Sequence, residues 1–192
     1  MVIREVIKAI KVALENIDRK YCTLSQIDYS KIEVMKSFLD YLSKEKYLER
    51  PFAYEFYHQL RRLMAEGEVD FGGPIIQAEV DKRYQHCFKR GKIPDFIIHI
   101  PNSDQNLAVI EFKLTTNLTG IKSDIEKLVK FKTNQELKYS NGVEVILGDT
   151  QSLEVLREDI NNWNEIGGEE IIIVEFDTDS WKADHSVLQF KA

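Results

Sequence analysis

The sequence predicts an α/β fold in which a mixed central sheet is flanked by helices. Three observations predict it. The apolar period shifts from helical to alternating near residue 70, the elements from Pro51 onward run helix, three strands, helix, strand, helix, strand, and no repeat or low-complexity tract interrupts them. The 192 residues are 43% apolar and 30% charged, which supplies one hydrophobic core. Apolar runs such as Leu107–Ile110 and Ile171–Val174 fall far short of the roughly 20 residues of a membrane helix. The N-terminus alternates charged and aliphatic residues, without the apolar stretch of a secretory signal. A cytoplasmic protein with no membrane association is therefore expected. Cys22 and Cys87 lie in different elements without metal-ligand spacing and read as reduced thiols.

Residues 1–50 read as a helical extension, a possible oligomerisation or substrate-contact unit, whose first 45 or so residues stand outside the sheet domain of 51–192. There Ser30 with Glu33 has capping-box form, and Ile32, Met35, Phe38 and Leu42 share a helix face. Pro51 suits a first helical turn. Behind it Phe52, Phe56, Leu60, Leu63 and Met64 form an apolar stripe, while Glu55, Gln59, Arg62 and Glu66 form a polar row. After Gly72-Gly73-Pro74, the residues Ile76, Ala78 and Val80 alternate with Gln77, Glu79 and Asp81 as in a strand. Ile93–Ile100 and Leu107–Leu114, joined through Pro101–Asn106, predict a hairpin. Ser123 with Glu126 predicts a capped helix reaching about Leu137, and Asn141-Gly142 a turn into the strand Val143–Leu147. Leu153–Trp163 reads as a helix and Glu170–Phe176 as a strand.

The formal charge is -6, but its distribution is uneven, with a basic middle and a strongly acidic end. An acidic total argues against indiscriminate coating of nucleic acid, while the basic middle leaves room for a local phosphate-binding surface. Lys82, Arg83, Lys89, Arg90 and Lys92 bracket Tyr84 and Phe88, and Lys122, Lys127, Lys130 and Lys132 follow the hairpin. Basic residues interleaved with aromatics fit contacts to a polynucleotide backbone; a charged loop and a solvated helix face fit equally.

The hairpin carries the chemistry. Folding it about the middle of its turn sets positions summing to about 206 opposite each other, a condition that Asp95 and Glu111 meet, with Cβ atoms about 5 Å apart. Alternation puts Lys113 on the face of Glu111 and sends Ala108, Ile110 and Phe112 to the core. Two carboxylates so close repel unless a cation joins them, and hard oxygen ligands suit Mg²⁺ or Mn²⁺ better than zinc. Such an ion lowers the pKa of a bound water and offsets charge on phosphorus, with the ammonium orienting the nucleophile: the equipment for phosphodiester hydrolysis. Glu79, on the polar side of its strand, is a further candidate metal ligand and equally an ordinary solvated carboxylate. His99 shares the face of Asp95, within reach of a substrate phosphate, although a lone histidine there is more often a hydrogen-bonded structural residue; Gln77 is open in the same way.

Ile93-Pro94-Asp95-Phe96 followed by Ile110-Glu111-Phe112-Lys113 resembles the signature of the PD-(D/E)xK nucleases, the restriction-endonuclease-like superfamily, over about residues 51–176. The resemblance implies an αβββαβ core in which Asp95 and Glu111 bind the metal, the Phe112 carbonyl adds a ligand and Lys113 assists the attacking water. It also implies a catalytic glutamate on the preceding helix, which Glu55 matches. The activity implied is metal-dependent hydrolysis of phosphodiester bonds, with DNA as the partner; because a single site cuts one strand at a time, the N-terminal helices are also candidates for forming a homodimer. The rival is a silent nuclease-fold module that binds nucleic acid or a protein. Alone, Glu-x-Lys marks a solvated strand face and Pro-Asp a turn.

Overall fold

The computed structural model describes residues 3–24, 46–80, 93–161, 163 and 169–189. Helix α1 (Ile3–Glu15) precedes a short ribbon of β1 (Thr23–Leu24) and β2 (Lys46–Tyr47). Then come α2 (Glu49–Ala65), β3 (Ile75–Ala78), β4 (Phe96–His99), β5 (Asn106–Leu114), α3 (Leu118–Thr133), β6 (Asn141–Gly148), α4 (Thr150–Asn161), β7 (Glu170–Asp177) and β8 (Lys182–Gln189). The Ser30–Glu33 capping box and the basic segment with Lys82, Arg83, Lys89, Arg90 and Lys92 lie outside the described residues.

Strands β3 to β8 form one six-stranded sheet in sequence order. The β5–β6 and β6–β7 pairs are parallel and the others antiparallel. A parallel neighbour requires a crossover, and α3 and α4 supply the two that are needed. Helices thus cover both faces, so the central strands read as near-continuous apolar runs. Ala108, Ile110, Phe112, Val143, Val145, Val174 and Phe176 belong to the core on the α1/α2 face, and Val109, Ile146, Ile171 and Ile173 to that on the α3/α4 face.

Several boundaries depart from the sequence expectation for identifiable reasons. Helix α2 begins at Glu49, with Pro51 inside the first turn, where its missing N–H leaves nothing unpaired. Helix α3 begins at Leu118 because Asn117 caps it, its Oδ1 accepting the Gly120 N–H at 3.0 Å. The Ser123–Glu126 pair therefore falls inside the helix. Gly142 makes no turn. It lies within β6, where a Cβ would come 2.8 Å from Ile171 Cδ1 and 3.2 Å from Leu128 Cβ, so glycine serves close helix–sheet approach. Strand β8 had no counterpart in the sequence reading, since its mainly polar, exposed residues mask its pairing with β7. Helix α1, expected to stand apart, buries Val6, Ile10, Ala13 and Leu14 in the same core cluster as α2 and the sheet. Their spacing of three and four residues makes the stripe that docks it.

Three rings tie α2 to the hairpin of β4 and β5. Phe56 lies 4.9 Å from Phe112 and 5.6 Å from Phe96, and Phe96 meets Phe112 edge-on at 5.6 Å, all as centroid separations. All three are fully or almost fully buried. Truncation of Phe56 to alanine removes the ring that both strands pack against. We expect it to lower unfolding stability by about 3–5 kcal/mol, measured as a shifted urea midpoint with unchanged slope.

Candidate functional site

The hairpin register places the site. Phe96 pairs with Ile110, Ile97 with Val109 and Ile98 with Ala108, the summed position expected from the sequence, before a shift at His99. Strand β4 starts at Phe96 while β5 continues to Leu114, so the last turn of the pleat in β5 has no β4 partner. Side chains fill that gap. Asp95 Oδ2 accepts the Phe112 N–H at 2.8 Å, and Lys113 Nζ donates to the Phe112 carbonyl at 3.2 Å. The peptide of Phe112 is thus satisfied by the two side chains that the motif predicted to be chemical.

Lys113 Nζ also lies 3.0 Å from Glu49 Oε1 at the start of α2 and 3.1 Å from Asp124 Oδ2 on α3, so its ammonium joins both layers around the open sheet edge. Glu111, 1% exposed, points to the α3 face, where Lys127 Nζ sits 2.7 Å from its Oε1 and 3.2 Å from Asp124 Oδ1. Glu144 on β6 is in register with Glu111, is 0% exposed, and neither of its carboxylate oxygens has a hydrogen-bond partner. A shallow pocket opens at this corner, lined by Glu49, Arg50, Tyr54, Glu79, Asp95 and Lys113. Glu79 has a φ of 47°, a left-handed turn that ends β3, and its N–H binds the Asp95 carbonyl at 2.9 Å. Tyr54 Oη donates to Glu79 Oε1 at 3.4 Å.

Burial raises the pKa of Asp95, against the opposing pull of the Phe112 N–H and of Lys113 and Lys127. Burial pushes Glu111 well above the usual carboxylate range; Lys127 opposes this, and Asp95 and Asp124 add to it. Glu144 is likewise held well above that range by burial first and then by Asp124 and Glu111. For Lys113 burial alone favours the neutral amine, but Glu49 and Asp124 outweigh it and raise the pKa. Lys127 is raised in the same way, burial being outweighed by Glu111 and Asp124. The centre is an excess of buried carboxylates held by two ammonium groups.

The expected residues are distributed unevenly around this centre. Asp95, Glu111, Phe112 and Lys113 come together, and Glu79 lines the pocket. Glu55 does not reach it: its Oε1 accepts Gln59 Nε2 at 2.6 Å, and Arg62 continues the row to Gln59 Oε1 at 3.0 Å and Glu66 Oε2 at 2.7 Å. The polar row is therefore a side-chain ladder along α2, and Glu49 is the helix glutamate beside Lys113. Lys122 is exposed on α3. Lys127, expected among residues contacting nucleic acid, is turned inward onto Glu111 and onto Asp124, which it shares with Lys113. His99 Nε2 and Gln77 Oε1 hydrogen-bond to each other at 2.5 Å. Asp124, Glu144 and Glu49 were not anticipated. A glutamate inside the apolar strand Val143–Leu147 was the available signal for Glu144, since a strand covered on both faces has no solvated side for an acid.

In the present side-chain arrangement no three His, Cys, Asp or Glu side chains converge as a metal cage among the described residues. No helix among them is long and apolar enough to cross a membrane. Comparison of the chain with protein families, with curated proteins and with solved structures yields no match.

The raised folded-state pKa of Glu144 means that its contribution favours folding at and below the ordinary carboxyl value of 4.5 and is lost as pH climbs through the folded-state value. Thermal melts from pH 5 to 8.5 are expected to show wild-type protein losing more stability with rising pH than Glu144→Gln does. Parallel pH dependences would refute the assignment.

Proposed function

We propose that the protein is a metal-dependent nuclease of the PD-(D/E)xK type that hydrolyses phosphodiester bonds, DNA being the preferred substrate. The observation that carries this reading is the Phe112 peptide bracketed by Asp95 and Lys113, with Glu111 beside it on the same strand. The order α2, β3, β4, β5, α3, β6 supports it, since it follows the αβββαβ sequence of restriction-endonuclease-like cores. Glu49 takes the place that the resemblance assigned to Glu55.

The residues fit a Mg²⁺ or Mn²⁺ ion. The donors are hard oxygens, Asp95, Glu111 and the Phe112 carbonyl, with Glu79 lining the same pocket as Asp95. When bound, such an ion supplies a more acidic water and offsets charge gathering on the phosphorus. The chain's own groups do the rest. Lys113, charged and braced by Glu49, is placed to hydrogen-bond an incoming water or a phosphoryl oxygen at the pocket. Asp95, fixed by the Phe112 N–H, holds one carboxylate oxygen in a set position on the sheet edge. Arg50 and exposed Lys122 offer cationic contacts to flanking phosphates.

A specific observation favours the second reading, a silent module that binds nucleic acid or a protein. Lys127 and Lys113 already pair with Glu111 and Asp124, so the acids are partly neutralised from within. A panel of labelled duplex, branched and single-stranded polynucleotides incubated with Mg²⁺ and Mn²⁺ separates the two. Cleavage abolished by EDTA is expected, with Lys113→Ala slower by about 10²–10⁴-fold and Glu49→Gln by roughly tenfold or more. Glu55→Gln should cut at close to the wild-type rate. Wild-type protein that cuts nothing with either metal leaves the silent reading in place.

A further inference from the structure

Lys127 stands on α3 with its ammonium 2.7 Å from Glu111, a residue that is 1% exposed, and the side chain reaches no solvent-facing partner in this cluster. Asp124, one turn earlier, holds the same ammonium at 3.2 Å. Beside Glu111, on the adjacent parallel strand, Glu144 is in register, wholly buried and without a hydrogen-bond partner on either oxygen. A buried carboxylate with no partner is a costly feature, and one placed beside an ion pair is a ready second seat for the cation of that pair.

We propose that Lys127 is a built-in counter-ion occupying the face of Glu111 that a divalent cation uses, and that its ammonium passes to Glu144 when the cation binds. This rests on the reading of Asp95 and Glu111 as metal ligands. An ammonium and a divalent ion compete for one carboxylate in a low-dielectric site, and the Glu144 carboxyl group releases its proton to solvent as the displaced ammonium pairs with it. The four-carbon stem of lysine can swing its head while the helix stays in place, and Asp124 remains as a common anchor for both positions. Lys127 is thus a positioning residue that sets the cation affinity of the site, keeping Glu111 compensated in the metal-free protein. It also accounts for Glu144, which no step of the proposed hydrolysis uses.

Isothermal titration of the full chain with Mn²⁺ tests this without any turnover. Lys127→Met is expected to bind Mn²⁺ about tenfold more tightly than wild type, and Lys127→Arg, which keeps the charge, to stay near wild type. Glu144→Gln is expected to weaken Mn²⁺ binding several-fold in wild type and to leave Lys127→Met unchanged, because only a chain carrying the lysine needs the second seat. If Lys127→Met loses its cooperative melt, Lys127→Gln, which still offers Glu111 a hydrogen bond, takes its place. Equal or weaker binding by the neutral variants than by wild type overturns the proposal while leaving the nuclease reading intact. Equal weakening by Glu144→Gln in both backgrounds overturns the hand-over. No binding by wild type or by the neutral variants removes the metal-site reading and this proposal with it. Binding by the neutral variants alone supports the counter-ion.

Discussion

One residue without a partner on the neighbouring strand organises the site. Strand β5 outruns β4, so the N–H and carbonyl of Phe112 face an edge where no strand continues the ladder. A buried or half-buried peptide group left unmatched is costly, so the groups nearest to it are conscripted. Asp95 accepts the N–H and Lys113 donates to the carbonyl, which draws an acid and an amine from separate strands to one point. The aromatic cluster of Phe56, Phe96 and Phe112 behind that peptide keeps α2 and both strands in a fixed relation. Geometry at the pocket is therefore inherited from packing a few ångströms below it.

Charge is the second constraint. Both faces of the sheet are covered, so the acids on the α3 face, Glu111 and Glu144, are enclosed by the same helix that completes the core. Desolvation acts on each, and Lys113 and Lys127 offset it only in part. Such an arrangement costs stability compared with an apolar packing of the same volume, which makes a purely structural account of Glu144 unattractive. The proposed exchange of Lys127 for a divalent cation would give that acid a role. The same crowding sets the terms of the rival reading, in which two lysines are the only cations the centre ever holds.

The hairpin was legible because register follows from where a turn folds, and the turn at Pro101–Asn106 has strong local signals. Asp95, Glu111 and Lys113 followed from it. Glu55 and Glu49 show the opposite case. Both are acids on one helix, and the sequence places Glu55 in a polar row without saying which end of α2 meets the sheet edge. In the structure that row closes on itself through Gln59 and Arg62, and the N-terminal turn carries Glu49 to Lys113. Lys127 was equally ambiguous. A lysine on an amphipathic helix reads as solvated until the acids across from it are known to lack partners.

By itself the sequence determined the periodicities, hence the helices and strands of a mixed sheet, and the local turn that sets one hairpin register. These are short-range matters, decided by neighbouring residues and by alternation along a strand. Only the tertiary structure decided that β5 extends beyond β4, that α1 shares the core, and that α3 closes over Glu111 with Asp124 and Lys127 facing inward. It also decided that Glu144 stands beside Glu111 across two parallel strands. Those outcomes depend on which distant surfaces exclude water from one another, and burial of that kind lifts a carboxyl group out of its ordinary pKa range.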